Sequence, residues 1–578
     1  MILRVGLFSL IVAACQALVS FKQQNMRKSM KWKTFQRRPL DNSRRGSNTK
    51  LHVDGQGMAG GSQHLLGDII RSLQPRYLVQ VADAVQSNLK GMPEVQIDDF
   101  CAMLDQSQSI PTWQELEKRV PAAAVTPSPS DGPSAAATIR LFGSDKAPIV
   151  TLYRDSAAWC PYCQKVWIAL EEKQISYKVV KIDMRCYGKG KPEEFLKLQP
   201  NGNLPCAIFR YPTPTKNEWV VRESNDIIDE LEQLAMAKQS KTPTLRPSNQ
   251  EDRIRDLCDN GRESLERRLY TRWMWWLTGV RKPEEYKQLF LEHWQEMEDA
   301  LGQDTSGPYF LGRELSVVDI RFIPFVERQL ASLTYFKGAD YLRDAKRYPN
   351  IVRWLEAMES RPSYQATKSD YYTHSRALPP QLAADCVSAK GSCESMQVAI
   401  DSSSIGDGSN DWIEPGWQWY DVSKNAAKEA ATQLIRGNSK LVAFCARGAG
   451  VAGLPAASAP LADPSATPNE VLIPAVDLLL RHITHSILNC AGKKDWKPII
   501  QRNLVASDQI QAAIATLDES SKLALVDCLD YLRERVGVPR DMSYPAAQLL
   551  RQALVQAKSM LLAPRSQSVT AKEVMTTR

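Results

Sequence analysis

One stretch constrains this chain more than any other: Ala158-Trp159-Cys160-Pro161-Tyr162-Cys163-Gln164-Lys165. A β-type run, Ile149-Val150-Thr151-Leu152-Tyr153, leads into it, and an amphipathic run, Val166-Trp167-Ile168-Ala169-Leu170-Glu171-Glu172, leads out. A strand, a short loop and a Cys-Pro-x-Cys opening a helix place the first sulfur at the helix N-terminus. There the unpaired N–H groups and the helix dipole favour thiolate over thiol. Pro161 suits the first helical position, since it lacks a donor that would be orphaned there anyway. Cys163 lies one turn on, within reach of a mixed disulfide formed on Cys160. A zinc half-site and a pair of inert core thiols are the alternatives. No second Cys-x-x-Cys completes a zinc site, and strand-loop-helix is the redox context.

Charge narrows the function classes. The chain holds 73 Lys+Arg against 65 Asp+Glu, a net +8. Residues 1–50 carry 11 of those basic residues and a single acid, Asp41, so the leader holds +10 and the remainder −2. A basic surplus confined to a leader gives no support to nucleic-acid binding. The leader opens with Arg4 and an apolar core, Val5 to Ala14, too short to span a bilayer. A cleavage zone around Ala17 to Ser20, then Phe21, precedes a basic, acid-poor stretch from Lys22 to Lys50. This order resembles the bipartite presequences of algae with complex plastids. The expected destination is therefore a plastid reached by the secretory route, with secretion as the alternative and no membrane attachment in the mature form. Twelve cysteines are scattered and only the 160/163 pair has a diagnostic spacing, which fits a reducing compartment.

Periodicity divides the rest. Residues 51–120 read as a small helical module, with Leu65-Leu66-x-x-Ile69-Ile70 spacing and a capping box at Thr112-Trp113-Gln114-Glu115. Residues 121–146 are a Pro/Ala/Ser-rich linker. From 147 to 240 the order is β-α-β-α-β-β-α, the thioredoxin-like pattern. Strand Tyr177–Ile182 precedes a helix at Pro192–Leu196 and the turn Pro200-Asn201-Gly202-Asn203. Leu204-Pro205 then leads into Cys206–Phe209, and Trp219-Val220-Val221 into Glu223-Ser224 and a helix over 225–234.

In this order the residues resemble the glutathione transferase family, above all its cysteine-type members (omega, lambda and dehydroascorbate-reductase classes), while Cys-Pro-Tyr-Cys itself is similar to glutaredoxin. The resemblance spans about 147–375. It implies a thioredoxin-like α/β domain at 147–240 and an all-α transferase C-terminal domain at 250–375, flanked by all-α extensions. It implies glutathione as cosubstrate, with Cys160 as nucleophile, Cys163 as a second thiol, and Pro161 and Tyr162 beside them. Leu204 and Pro205 match the family's hydrophobic residue plus cis-proline, whose backbone pairs with the cysteinyl part of glutathione. Glu223 and Ser224 match the pair that holds the γ-glutamyl end, at a helix N-terminus suited to a carboxylate. Lys191, or Lys189 in the insertion-like stretch Cys186–Gly190, matches the lysine near the glycine end. Phe310-Leu311-Gly312-Arg313 with Ser316-x-x-Asp319 matches a structural helix cap of the second domain. Trp273 or Trp276 could border the electrophile pocket, although aromatics at helical spacing are usually core.

Residues 376–410 read as a linker, 411–565 as an all-α module of unassigned role, and 566–578 as a disordered tail. The aromatic segment Asp411–Tyr420 reads as a docking core, Gly437 as the end of a helix begun at Ser423, and helical patterns occupy 470–489, 498–516, 519–536 and 545–562. His482, His485 and Cys490 lack a fixed fourth ligand, so no metal is assigned. The expected activity is glutathione-dependent thiol transfer or reduction on a glutathionylated substrate, a quinone adduct or dehydroascorbate. The alternative is a non-catalytic transferase-like scaffold for protein assembly. The expected partners are glutathione, a small electrophile or glutathionylated substrate, and a second copy of the chain in a homodimer.

Overall fold

The computed structural model describes residues 94–107, 109–120, 135–183, 191–210, 217–237, 242–382, 386–402, 414–417, 426–451, 466–493, 496–505 and 508–563. The leader, the spacing at 65–70, Lys189, Ser423 and the tail lie outside the described residues. Helical turns of three or four residues are left unnumbered below.

Helices α1 (Asp98–Ser107) and α2 (Trp113–Glu117) come first. Thr112 caps α2 in the predicted box, its N–H donating to the Glu115 carboxylate at 2.8 Å. Next come β1 (Ile139–Arg140), β2 (Val150–Asp155), α3 (Pro161–Glu172), β3 (Tyr177–Ile182), α4 (Glu193–Leu198), β4 (Cys206–Phe209), β5 (Trp219–Val221) and α5 (Ser224–Ala237). The strands form one sheet in the order β1-β3-β2-β4-β5. The α3 crossover makes β2 and β3 parallel, and the other pairs are antiparallel. β2 is therefore central, and the loop carrying Cys160 leaves its C-terminal end. Strand β1 corrects the reading of 121–146 as linker throughout: Ile139 and Arg140 pair with Lys178 and Tyr177. A two-residue edge strand offers no alternation to read.

The all-α domain contains α6 (Leu265–Thr278), α7 (Pro283–Gly302), α8 (Val317–Lys337), α9 (Pro349–Glu359), α10 (Tyr371–Gln381) and α11 (Glu394–Ser402). Helix α8 is its spine, buried at all positions but Tyr335. Asp319 fixes its start: the carboxylate accepts from Ser316 N–H at 2.8 Å, Phe310 N–H at 3.1 Å and Trp354 Nε1–H at 2.9 Å. The family-like Ser-x-x-Asp thus ties three segments of this domain together. Helix α11 and the end of α10 correct the reading of 376–410 as a linker. Its backbone is stitched to the domain, Val387 N–H to the Leu277 carbonyl and Ala389 N–H to that of Phe336, and Ile400 is buried in the same core.

The C-terminal helices are α12 (Ala426–Cys445), α13 (Ile473–Leu488), α14 (Lys497–Val505), α15 (Asp508–Thr516), α16 (Glu519–Arg533) and α17 (Tyr544–Leu562). Helix α12 runs through Gly437, because the apolar stripe resumes at Val442 and Cys445 and outweighs the roughly 1 kcal/mol that a helical glycine costs. The 498–516 pattern is two helices. Phe100, Leu104 and Leu116 of the N-terminal segment lie in one hydrophobic core with Leu434, Leu479 and Ile483. Trp113 Nε1–H also donates to Asp477 at 2.7 Å. The segments read separately as 51–120 and 411–565 therefore meet in a single helical body. Its stretch Glu470–Leu488 is long and apolar enough to cross a membrane, but it is 67% buried within this core.

That body is docked on the transferase-like part through charge as well as apolar contact. Asp370, the cap of α10, pairs with Arg551 of α17, both at 0% side-chain exposure. Lys368 Nζ donates to the Gly416 carbonyl at 2.8 Å and Tyr371 N–H to Glu414 at 3.0 Å across the same junction, while Trp417 stacks on Tyr544 at 4.3 Å between centroids within the helical body. The described part of the aromatic segment, residues 414–417, thus lies at the docking junction. Removing one partner of a buried ion pair costs about 3–5 kcal/mol, so this junction is built to stay closed.

Candidate functional site

Cys160 stands as N-cap of α3, with extended φ and ψ of −74° and 115°, and Pro161 occupies the first turn. Its Sγ accepts from Cys163 N–H at 3.4 Å and lies 3.7 Å from the Leu204 carbonyl. The Leu204–Pro205 bond is cis. The structure therefore brings the predicted nucleophile, its loop partner and the cis-proline together. Both thiols are free, Cys160 at 6% exposure and Cys163 at 2%. Burial, with the neighbouring Cys160 second, pushes the Cys163 thiol well above its ordinary value. Tyr162, at 38% exposure, packs edge-on against Phe325 at 5.5 Å.

The remaining predicted residues approach from two sides. Gly202, at φ 67°, closes the turn before Leu204, and Lys191 Nζ donates to its carbonyl. Ser224 is buried at the start of α5 and Glu223 beside it is exposed. Asn225, the next residue, accepts at Oδ1 from Lys165 Nζ of α3 at 2.6 Å. Trp273 and Trp276 are core residues, 2% and 4% exposed, and Trp273 Nε1–H donates to Ser332 at 2.9 Å.

Three groups around the thiols escape the motif reading. Asp155 ends β2, and one of its oxygens lies with both sulfurs inside 4.8 Å of one another. Its Oδ2 accepts from Trp159 N–H at 2.6 Å, while its buried Oδ1 has no hydrogen-bond partner. Three donors fall short of the four ligands of a structural zinc site. Lys165 is buried on α3, and desolvation draws its ammonium down to about 8 against the opposing pull of Glu266. Arg328 of α8 donates to the Trp159 carbonyl at 2.8 Å and to Gln164 Oε1 at 2.9 Å. Burial lowers the Arg328 guanidinium, while Glu327, Cys160 and Asp155 pull it back. Gln164 Nε2–H in turn donates to Glu327 at 3.1 Å, and Glu327 pairs with His374 at 2.7 Å. A charged residue inside an otherwise apolar strand end or helix face is the signal that Asp155 and Lys165 leave in the sequence. Arg328 leaves none, because its contact spans 169 residues.

His482 Nε2 is held 3.3 Å from the Leu504 carbonyl, and burial draws its imidazole down to about 4. It is a core histidine.

Comparison with known proteins fits this geometry. Residues 159–234 match the glutathione S-transferase N-terminal domain and residues 282–357 the C-terminal domain. Among curated relatives, "Glutathione S-transferase DHAR3, chloroplastic" of Arabidopsis thaliana is 23% identical over 36% of this chain and 69% of its own length. "Pyrimidodiazepine synthase" of Drosophila melanogaster is 29% identical over 38% of this chain and 80% of its own length. Among solved structures, the dehydroascorbate reductase of Chlamydomonas reinhardtii covers 39% of this chain and 93% of its own, at 23% identity and a TM-score of 0.29. The centre of this chain matches both glutathione S-transferase domain models, and the helical body around it lies outside the matched residues.

Proposed function

We propose that the protein is a glutathione-dependent thiol transferase in which Cys160 is the nucleophile. The observation that carries this is the juxtaposition of Cys160 Sγ, the Leu204 carbonyl at 3.7 Å before a cis-proline, and a second thiol one turn along the same helix. The Cys160 thiolate attacks the glutathionyl sulfur of a mixed disulfide, forming the Cys160–glutathione bond and releasing the substrate thiolate. Two exits follow. A second glutathione thiolate attacks that sulfur and leaves as glutathione disulfide. Alternatively, Cys163 attacks Cys160 Sγ, expels glutathione thiolate and closes a Cys160–Cys163 disulfide. A buried thiol must lose its proton first, and the Asp155 carboxylate, one of whose oxygens lies within 4.8 Å of both sulfurs, is assigned as the acceptor. Similarity to proteins named glutathione S-transferase and dehydroascorbate reductase supports a glutathione-dependent reaction at this cysteine.

The glutathione contacts are assigned to the Leu204 backbone, the Ser224 N–H and Glu223, with Lys165 under the γ-glutamyl carboxylate and Lys191 toward the glycine end. Calorimetric titration of the full chain with glutathione tests this. Ser224→Ala keeps the backbone donor and should weaken binding modestly. Glu223→Ala with Ser224→Pro should abolish it, since charge-assisted bonds are worth roughly 1.5–3 kcal/mol each and proline deletes the N–H. Absence of heat with millimolar glutathione would remove the transferase reading and leave the scaffold.

A further inference from the structure

A cleft of about 1150 Å³ lies between the redox domain and the helical body, away from the residues assigned to glutathione. One wall is the C-terminal end of the sheet, with Ser156 after β2 and Lys181 and Asp183 at the end of β3. The other is α12 and the segment joining α16 to α17. Six basic side chains line it, Lys181, Arg436, Lys440, Arg447, Arg535 and Arg540, against two acids, Asp183 and Asp541.

The two sets of charges are not equally spoken for. Arg540 is paired with Asp541 at 2.6 Å and Arg535 approaches Glu534 at 3.5 Å. The side chains of Lys181, Arg436 and Lys440 form no hydrogen bond or ion pair among the described residues. Like charges brought together from two separate parts of the fold repel unless an anion lies between them. The concentration stands out on a body whose charge outside the leader is −2. Phe444, Leu441 and Met542 give the same cleft an apolar face. Its volume is at the upper end of small-molecule sites, enough for an organic body beside its charges.

We propose that this cleft binds a small multivalent organic anion, a phosphate ester or polycarboxylate of nucleotide size, held by Lys181 from the sheet and by Arg436 and Lys440 from α12. The site exists only where the two parts of the chain meet, which gives the appended helical body a function of its own. It does not depend on the glutathione assignment.

The test is calorimetric titration of the full chain with sodium pyrophosphate, citrate and ATP as probes, with a single-stranded oligonucleotide in parallel. Saturable binding of one equivalent of a small anion is expected, with pyrophosphate against citrate separating phosphate from carboxylate recognition. Arg436→Gln with Lys440→Gln, both exposed on α12 and so harmless to the fold, should weaken it roughly tenfold or more, as loss of two facing charges does. Arg436→Lys with Lys440→Arg should retain it. Lys493→Gln with Arg502→Gln, exposed and remote from the cleft lining, should leave it unchanged. Three results would overturn the proposal: no saturable heat with any probe, equal weakening by the remote pair, or an oligonucleotide that binds more tightly than every small anion.

Discussion

Arg328 Nη2–H donates to the backbone carbonyl of Trp159 at 2.8 Å, so the residue before the nucleophile is held by the all-α domain as well as by Asp155 at the end of its own sheet. The same guanidinium holds Gln164 on the first turns of α3. The two domains thus fix the Cys160 loop jointly. Arg328→Met should strand the Trp159 carbonyl and Gln164 Oε1, lowering the melting temperature. Displacing a reacting group by about 1 Å costs on the order of 10²-fold in kcat/KM. Arg328→Lys restores charge without the two-nitrogen fork, so it should recover stability better than turnover. Paired melting curves and kinetics check this, and unchanged kcat/KM in Arg328→Met would contradict it.

Asp155 separates the two exits from the mixed disulfide. Asp155→Asn keeps the shape and the bond from Trp159 N–H but removes the proton acceptor. Release of glutathione driven by Cys163 should slow about 10²-fold, the usual worth of a positioned base. In a Cys163→Ser background the same substitution should have little effect, because no buried thiol remains to deprotonate. Equal slowing in both backgrounds, measured by stopped flow, would reduce Asp155 to a structural cap for Trp159.

Lys165 sets a pH dependence. Burial lowers its value to about 8, so without ligand it is charged below that pH and neutral above it. A γ-glutamyl carboxylate gains from the charged form alone. Affinity for S-methylglutathione, whose sulfur does not titrate, should therefore fall as pH rises through about 8. Lys165→Met should bind several-fold more weakly at pH 7 and lose that slope. Folding runs the other way: the lowered value means that stability rises with pH between about 8 and the ordinary lysine range, where the unfolded chain holds the extra proton. Parallel slopes in wild type and Lys165→Met would contradict the placement.

Much of this architecture is legible in the residues. Alternation and Cys-Pro-Tyr-Cys give the order of elements from β2 to α5 along the redox domain, and Ser316 with Asp319 marks the start of α8. What is hidden is long-range. Arg328 reaches across 169 residues to Trp159, and no local pattern distinguishes it from a solvated arginine. Phe100 and Leu104 announce an apolar helix face but not that its partners lie more than 300 residues later, in α12 and α13. Ile139 and Arg140 are too few to show a period, and Gly437 reads as a stop because a lone glycine is cheaper inside a well-packed helix than its local signal implies. Asp155 and Lys165 are the instructive middle: a carboxylate ending a central strand and an ammonium on a core-facing helix are visible anomalies, and both meet the thiols or their helix.

The most direct measurement is intact-protein and peptide mass spectrometry of the Cys163→Ser variant after exposure to glutathione disulfide. One glutathionyl group should appear on the peptide containing Cys160, disappear on adding glutathione, and be absent from Cys160→Ser. In the wild-type protein it should give way to a Cys160–Cys163 disulfide. Glutathionyl transfer that survives Cys160→Ser, or a label spread over other cysteines with Cys160 unmodified, would contradict the assignment of Cys160 as the nucleophile.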